Sequence, residues 1–193
     1  MKLPQSFYQR SNVVQVAKDL IGKRLITNVN DMLTSGIIVE TEAYSYKERG
    51  CHAYKGPTER NKVMFEMGGI SYVYLCYGMH HLFNVVTNQS GKADAVLIRA
   101  LEPELGMDLM MERMKVNSIK RITSGPGKLT KALGITKSWN GVDLLGHQVW
   151  IEEGVKVTSS KIKADARIGI DYAGEDALLP WRFSIKDNKW VSK

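Results

Sequence analysis

Apolar and polar positions repeat along this chain with two periods, and the changes of period mark its elements. From Val13, the residues Val14, Val16, Ala17, Leu20 and Ile21 recur at helical spacing. Ser11 or Asn12 can cap that helix, and Gly22 stops it. Lys23–Asn28 and Gly36–Glu42 read as strands with a turn at Asn30-Asp31. Ser45–Asn61 is polar and irregular, too polar for a core strand, and is expected to form a long functional loop.

Ile70–Val86, ISYVYLCYGMHHLFNVV, reads as two apolar strands joined at a tip crowded by Tyr77-Gly78-Met79-His80-His81. Tyr72 and Tyr74 fall on one face by alternation. A turn normally faces water and takes small or polar residues, so an aromatic and apolar tip needs a partner. On a basic protein, a ridge of this kind suits insertion into a stacked nucleic acid.

The remaining pattern gives a turn at Asn88–Gly91 and a strand Ala95–Leu101 ended by Pro103. A helix follows over Leu105–Met114. A second, Gly127–Leu133, is capped by Ser124 with Pro126 in its first turn. Short strands around Gln148–Ile151, Ala166–Ile170 and Arg182–Ile185 complete the sheet. Strands outnumber helices and do not alternate with them regularly. The expected fold class is α+β, one domain over residues 1–193, with a curved, mostly antiparallel sheet, surrounding helices and a protruding hairpin.

Composition narrows the partners. Basic residues number 27 against 20 acidic, a net charge of +7, which permits an anionic partner without requiring one. Lys115, Lys120, Arg121, Lys128, Lys131 and Lys137 cluster in sequence and could face phosphates. No apolar run reaches the ~20 residues of a membrane helix, so no membrane partner is expected. Cys51 and Cys76 make no disulfide framework, and the first residues lack a signal-peptide core. An intracellular, cytoplasmic protein associated with the nucleoid is expected. No CxxC, HExxH, GxGxxG or P-loop appears, so neither metal nor cofactor is expected.

Four sets of polar residues in apolar surroundings could carry chemistry. Glu40 and Glu42, in IIVETEAY, share a strand face. Each could simply reach solvent at the strand end. A carboxylate beside an aromatic and under a loop is also what a water-activating base needs, and one of the pair would suffice while the other braced the loop. Arg99, inside AVLIRAL, must pair with a carboxylate or carbonyl. That pair is either structural or holds an ordered water. Asn84, in LFNVV, is either a buried amide bonded to backbone or a specificity contact. SGPGKL, with Ser124 and Lys128, is either a plain helix start or a phosphate site. Cys51 beside His52 is a faint nucleophile candidate.

The ordered set IVETEAY, a loop His, RNxxMF, YVYxxYGMHHxxNVV, LIRALEP, SGPGKL and ARIGIDYAG resembles the alkyladenine (3-methyladenine) DNA glycosylase family in its short single-domain form, from about Phe7 to Val191. The resemblance implies a monofunctional glycosylase that flips a damaged purine out of duplex DNA and hydrolyses its N-glycosidic bond. The implied substrates are 3-methyladenine, 7-methylguanine, hypoxanthine and ethenoadenine, and the enzyme is expected to be a monomer. By motif position, Glu42 matches the general base. Arg99 and a main-chain carbonyl corresponding to Ile168 match the groups that hold the water. Tyr44, His52 and Tyr74 match the walls around the flipped base, and Asn84 the gate against guanine. Tyr77 matches the wedge, with Met79 beside it at the tip, and Ser124 and Lys128 fit DNA contacts. The loop before His52 is about a residue shorter than in longer relatives. A non-enzymatic DNA binder using the same wedge, or an RNA-modifying accessory domain, are the competing classes.

Overall fold

The computed structural model describes residues 1–193. A short turn of helix, α1 (Gln5–Tyr8), precedes α2 (Val13–Leu20), whose first turn Asn12 caps by accepting from the Gln15 N–H. Next come β1 (Arg24–Val29), β2 (Met32–Tyr44), β3 (Ser71–Cys76), β4 (His80–Thr87) and β5 (Asp94–Leu105). Two helices, α3 (Met107–Met114) and α4 (Pro126–Leu133), then precede β6 (Val149–Glu152), β7 (Ile162–Asp165) and β8 (Arg182–Ile185).

The strands form one curled antiparallel sheet in the order β3-β4-β5-β2-β1-β6, and β8 joins β2 to β7. The expected α+β class holds. β2 is the organising strand. Its first half pairs with β1, Glu40–Glu42 pair with β8, and β5 runs along most of its length. Both edges of β2 are therefore paired along most of its length. Thr41 turns toward the helix layer and donates to the Ala17 carbonyl of α2 at 2.9 Å. Glu40 and Glu42, one residue to either side, turn the opposite way, as strand alternation dictates.

A core of 31 buried residues fills the space between the sheet and α2, α3 and α4. A second cluster of 8, including Cys51, Ala53, Met64, Tyr72 and Ala95, lies between the sheet and the loop that follows β2. That loop is not open, as a mobile cover would be. Glu48 and Asn61 are buried in it, and the Asn61 amide donates to the carbonyls of His52 and Gly56.

The structure differs from the sequence expectations at four places. β5 continues through Pro103 to Leu105. Pro103 sits at a register shift opposite Gly36, on a stretch where β5 has β2 on one side and no strand on the other, a position that tolerates a missing N–H. Accordingly α3 starts later than expected, at Met107. Ser124 does not cap α4. Gly125 takes that position with φ 125°, a conformation only glycine adopts without strain, and no side chain caps the helix. Finally, 166–170 is not a strand, which lies instead at Ile162–Asp165. Gly169 has φ +78°, and the Ile168 N–H is spent on a side chain rather than a ladder.

Candidate active site

The β2–β5 pairing carries a double irregularity where the site is built. Ile38 pairs with Leu101 and Glu40 with Ala100, leaving Val39 extra; Thr41 pairs with Ile98, leaving Arg99 extra. A bulge re-aims the side chain it carries. Here the Arg99 guanidinium is turned between the two carboxylates of β2, with Nε 3.2 Å from Glu40 and Nη1 3.2 Å from Glu42. Burial opposes the Arg99 charge, but Glu42 and then Glu40 more than restore it, so its pKa rises.

The two carboxylates are both fully enclosed, yet their partners differ. Glu40 receives Arg99 Nε, Arg182 Nη1 at 3.1 Å, the Ser192 N–H at 2.8 Å and the Ser192 hydroxyl at 2.9 Å. Three of these four donors fall on one oxygen and the Ser192 N–H alone on the other, so Glu40 is the more heavily bonded of the two. A carboxylate offers about four lone-pair sites. Glu42 receives Tyr44 Oη at 2.8 Å and Arg99 Nη1 on one oxygen, and the Ile168 N–H at 2.8 Å on the other. One acceptor position remains. Glu40 does not brace the loop after β2. Glu48 does, through a buried two-pronged ion pair with Arg167 at 2.6 and 2.8 Å.

Directly in front of Glu42 lies a cavity of about 670 Å³, and the three groups that bond its carboxylate, Tyr44, Arg99 and Ile168, are in its wall. His52, Tyr72, Tyr74 and Asn84 line it as well. His52 and Tyr74 do not stand apart as two plates. Their rings meet edge to face at 4.6 Å and form one wall, and the cavity also reaches Tyr44. Behind Tyr44 the Arg167 guanidinium lies 4.7 Å from the ring. Burial, and then the Glu42 charge, hold the Tyr44 phenol protonated. His52 shows an edge to solvent, but its Nδ1 is 3.0 Å from Tyr72 Oη. Burial, helped by Arg60, pushes its pKa down to about 4, so the ring is neutral at neutral pH.

Asn84 is buried and its amide donates to the Tyr72 carbonyl at 3.1 Å, the backbone bond expected of a buried amide, while it also borders the cavity. At the rim, Tyr77 and Gly78 occupy the turn between β3 and β4 with φ 50° and 70°. Tyr77 is 85% exposed and Met79 72%. Gly127, at the start of α4, is packed against His80, where a Cβ would come within 2.8 Å of the imidazole. The hairpin and α4 thus close one side of the cavity mouth together, with Lys128 on its edge. The Ser124 hydroxyl is buried there without a partner.

Of the residues matched to the family's site, all but Glu42 and Met79 line this cavity, and those two adjoin lining residues; Glu40, Cys51 and the basic cluster apart from Lys128 do not line it. Sequence reasoning assigned no role to Tyr72, Glu48, Arg60 or Arg167. An Arg and a Glu far apart on irregular segments carry no periodic signal, and only their pairing marks them. Cys51 faces the Ala93 carbonyl, and burial pushes its thiol up to about 12, which removes it as a nucleophile.

Comparison with known proteins places this arrangement. The family model described as methylpurine-DNA glycosylase matches residues 6–189. A protein of Carboxydothermus hydrogenoformans is 49% identical over 194 residues, covering 100% of both chains. One of Methanocella arvoryzae is 47% identical over 99% of this chain and 96% of its own. One of Chlamydia felis is 45% identical over 98% of this chain and 100% of its own. All three carry the name "Putative 3-methyladenine DNA glycosylase".

Proposed function

This chain belongs to the methylpurine-DNA glycosylase family, a DNA-repair enzyme that hydrolyses N-glycosyl bonds, and we propose that it does so on a purine flipped out of duplex DNA into the cavity before Glu42. The observation that carries the reading is the unequal bonding of the two β2 carboxylates. Glu40 takes four donors, three of them from Arg182 and Ser192 away from the cavity, whereas Glu42 takes three, all from groups that line it, and keeps one acceptor position there.

In this reading Glu42 and Arg99 hold a water, with Ile168 fixing the carboxylate's second oxygen. The water oxygen forms a bond to the anomeric carbon as the C–N bond to the purine breaks. The proton passes to Glu42, and the purine leaves with the bonding electrons. The sugar passes through an oxocarbenium-like state, which a nearby carboxylate stabilises. Substrates would be 3-methyladenine, 7-methylguanine, hypoxanthine and ethenoadenine, taken from duplex DNA by a monomer. Alkylation at N3 or N7 makes the purine a cation and a good leaving group. Neutral His52 suits such a guest, since a protonated ring would repel it.

Tyr44 on one side and the His52–Tyr74 wall on the other would hold the base by stacking, worth about 1–3 kcal/mol per base by alanine substitution. Tyr77 would fill the gap left in the duplex. Asn84 would disfavour the exocyclic amino group of guanine. Lys128 and the uncapped start of α4, with Ser124, would meet a backbone phosphate. A binder without catalysis has no use for an enclosed carboxylate with a spare acceptor site near a polyanion.

The test uses duplexes that each carry one lesion, incubated with the protein and then treated with alkali to cleave at abasic sites. Release of at least one alkylated or deaminated purine is expected. Absence of cleavage on all of them, with lesion DNA still bound, would establish the binder instead.

A further inference from the structure

Glu40 is as deeply enclosed as Glu42 and lies on the same strand face, but it takes four donors from three segments of the chain, three of them on the oxygen that meets Arg99. Its four donors are Arg99 of β5, Arg182 of β8 and the backbone and side chain of Ser192. Arg99 Nη2 also lies 3.4 Å from the Ser192 hydroxyl, so the guanidinium is held on that side by the carboxylate and the serine together. The Glu42 side has one contact, Nη1. Asn188 and Trp190, just before Ser192, are fastened in turn: the Asn188 amide donates to Glu102 and its side-chain oxygen accepts the Trp190 N–H.

We propose that Glu40 and Ser192 are positioning residues that hold the Arg99 guanidinium away from a two-pronged embrace of Glu42, and so keep open the acceptor position Glu42 needs for water. The proposal rests on the reading of Glu42 as the base. A guanidinium presents a rigid fork that fits a carboxylate with two parallel bonds. Released from Glu40, Arg99 would turn that fork onto Glu42 and occupy its remaining site. Two neighbouring carboxylates thus share one arginine, and the sharing sets the geometry of the reactive one.

The charged and titratable groups facing Glu42 are Arg99 of β5, Tyr44 of β2, Arg167 from the segment after β7 and Tyr74 of β3. In a Glu40→Gln variant the Arg99 charge falls on Glu42 alone.

The experiment is single-turnover excision from a lesion duplex, alongside binding of that duplex and thermal melting. For Glu40→Gln the expected result is a rate loss of about 100-fold, the size of an ångström-scale misplacement, with duplex affinity unchanged. An Arg99→Lys enzyme has no fork to turn, so adding Glu40→Gln to it should cost much less than in the wild type, which a merely structural role would not produce. Ser192→Ala removes the hydroxyl that meets both Arg99 and Glu40 and should move part of the way toward Glu40→Gln, and Ser192→Pro, which removes the N–H as well, should move further. If Glu40→Gln does not fold, Ser192→Pro decides: a wild-type rate overturns the proposal. A Glu40→Gln enzyme with the wild-type rate, or an equal loss in the Arg99→Lys background, overturns it too, while Glu42→Gln, inactive in the same assay, leaves the base reading standing. If Glu42→Gln excises normally, the base reading itself has failed.

Discussion

The Tyr44 hydroxyl donates to Glu42 at 2.8 Å, so the aromatic wall of the cavity and the carboxylate behind it are one bonded unit, two residues apart on β2. Removing the carboxylate charge and removing the phenol should therefore have different signatures. Glu42→Gln should cost about 10²–10⁴-fold in excision, the range of a lost general base, while lesion DNA is still bound in a gel-shift assay. Tyr44→Phe keeps the ring. It should cost about 10–100-fold, the size of one hydrogen bond to a charged group, with binding of the flipped base retained. Equal losses in both variants would separate Glu42 from the chemistry.

Tyr77 holds a left-handed backbone conformation that tyrosine adopts at a cost of about 1–2 kcal/mol, and it projects into solvent. Tyr77→Asn should raise the unfolding midpoint slightly, because asparagine tolerates that conformation. The same change should lower excision from paired lesions more than from single-stranded ones, measured side by side. A fluorescent base analogue should report weaker flipping. Full duplex activity in Tyr77→Asn would remove the wedge.

The Glu48–Arg167 ion pair ties the loop after β2 to the backbone leading into Ile168, and Arg167 backs Tyr44. Burial opposes the Arg167 charge and Glu48 restores it. Breaking one partner of a buried pair costs about 3–5 kcal/mol. Arg167→Met should lower the melting temperature accordingly and expose the segment 45–61 to limited proteolysis. Unchanged protection of that segment would show that the pair does not fasten it.

His52 gives a pH-dependent test. Its folded-state pKa, about 4, lies below the ordinary 6.5. Between those values the unfolded chain binds a proton that the folded one refuses, so the stability it contributes is complete above the upper value and is lost as pH falls toward the lower. The exposed edge of the ring moderates the effect. Denaturation midpoints for the wild type and His52→Gln, measured at pH 7 and pH 4.5, should converge at the acid end. Parallel curves would mean that His52 is not held neutral.

Much of this was legible in the sequence. The order of strands, the hairpin tip and the shared face of Glu40 and Glu42 follow from periodicity and turn chemistry. A lone arginine in an apolar strand requires a carboxylate, and Arg99 has two. Three things were not legible. The bulge at Arg99 depends on how β2 and β5 register, which neither strand specifies alone. The choice between the two carboxylates is made by Arg182 and Ser192, remote in sequence. The failed strand at 166–170 looked regular because Ala, Ile and Ile alternate there; Gly169 and the pull of Glu42 on the Ile168 amide decide otherwise.

β2 serves two masters on alternate residues: Thr41 grips a helix while Glu40 and Glu42 turn the other way, to share Arg99. Such a strand works as a ruler. Substitutions along it can be absorbed one at a time, but inserting a single residue between Val39 and Glu42 would swap every tenant to the opposite side. A lineage can therefore retune this region by exchanging letters, never by changing their number.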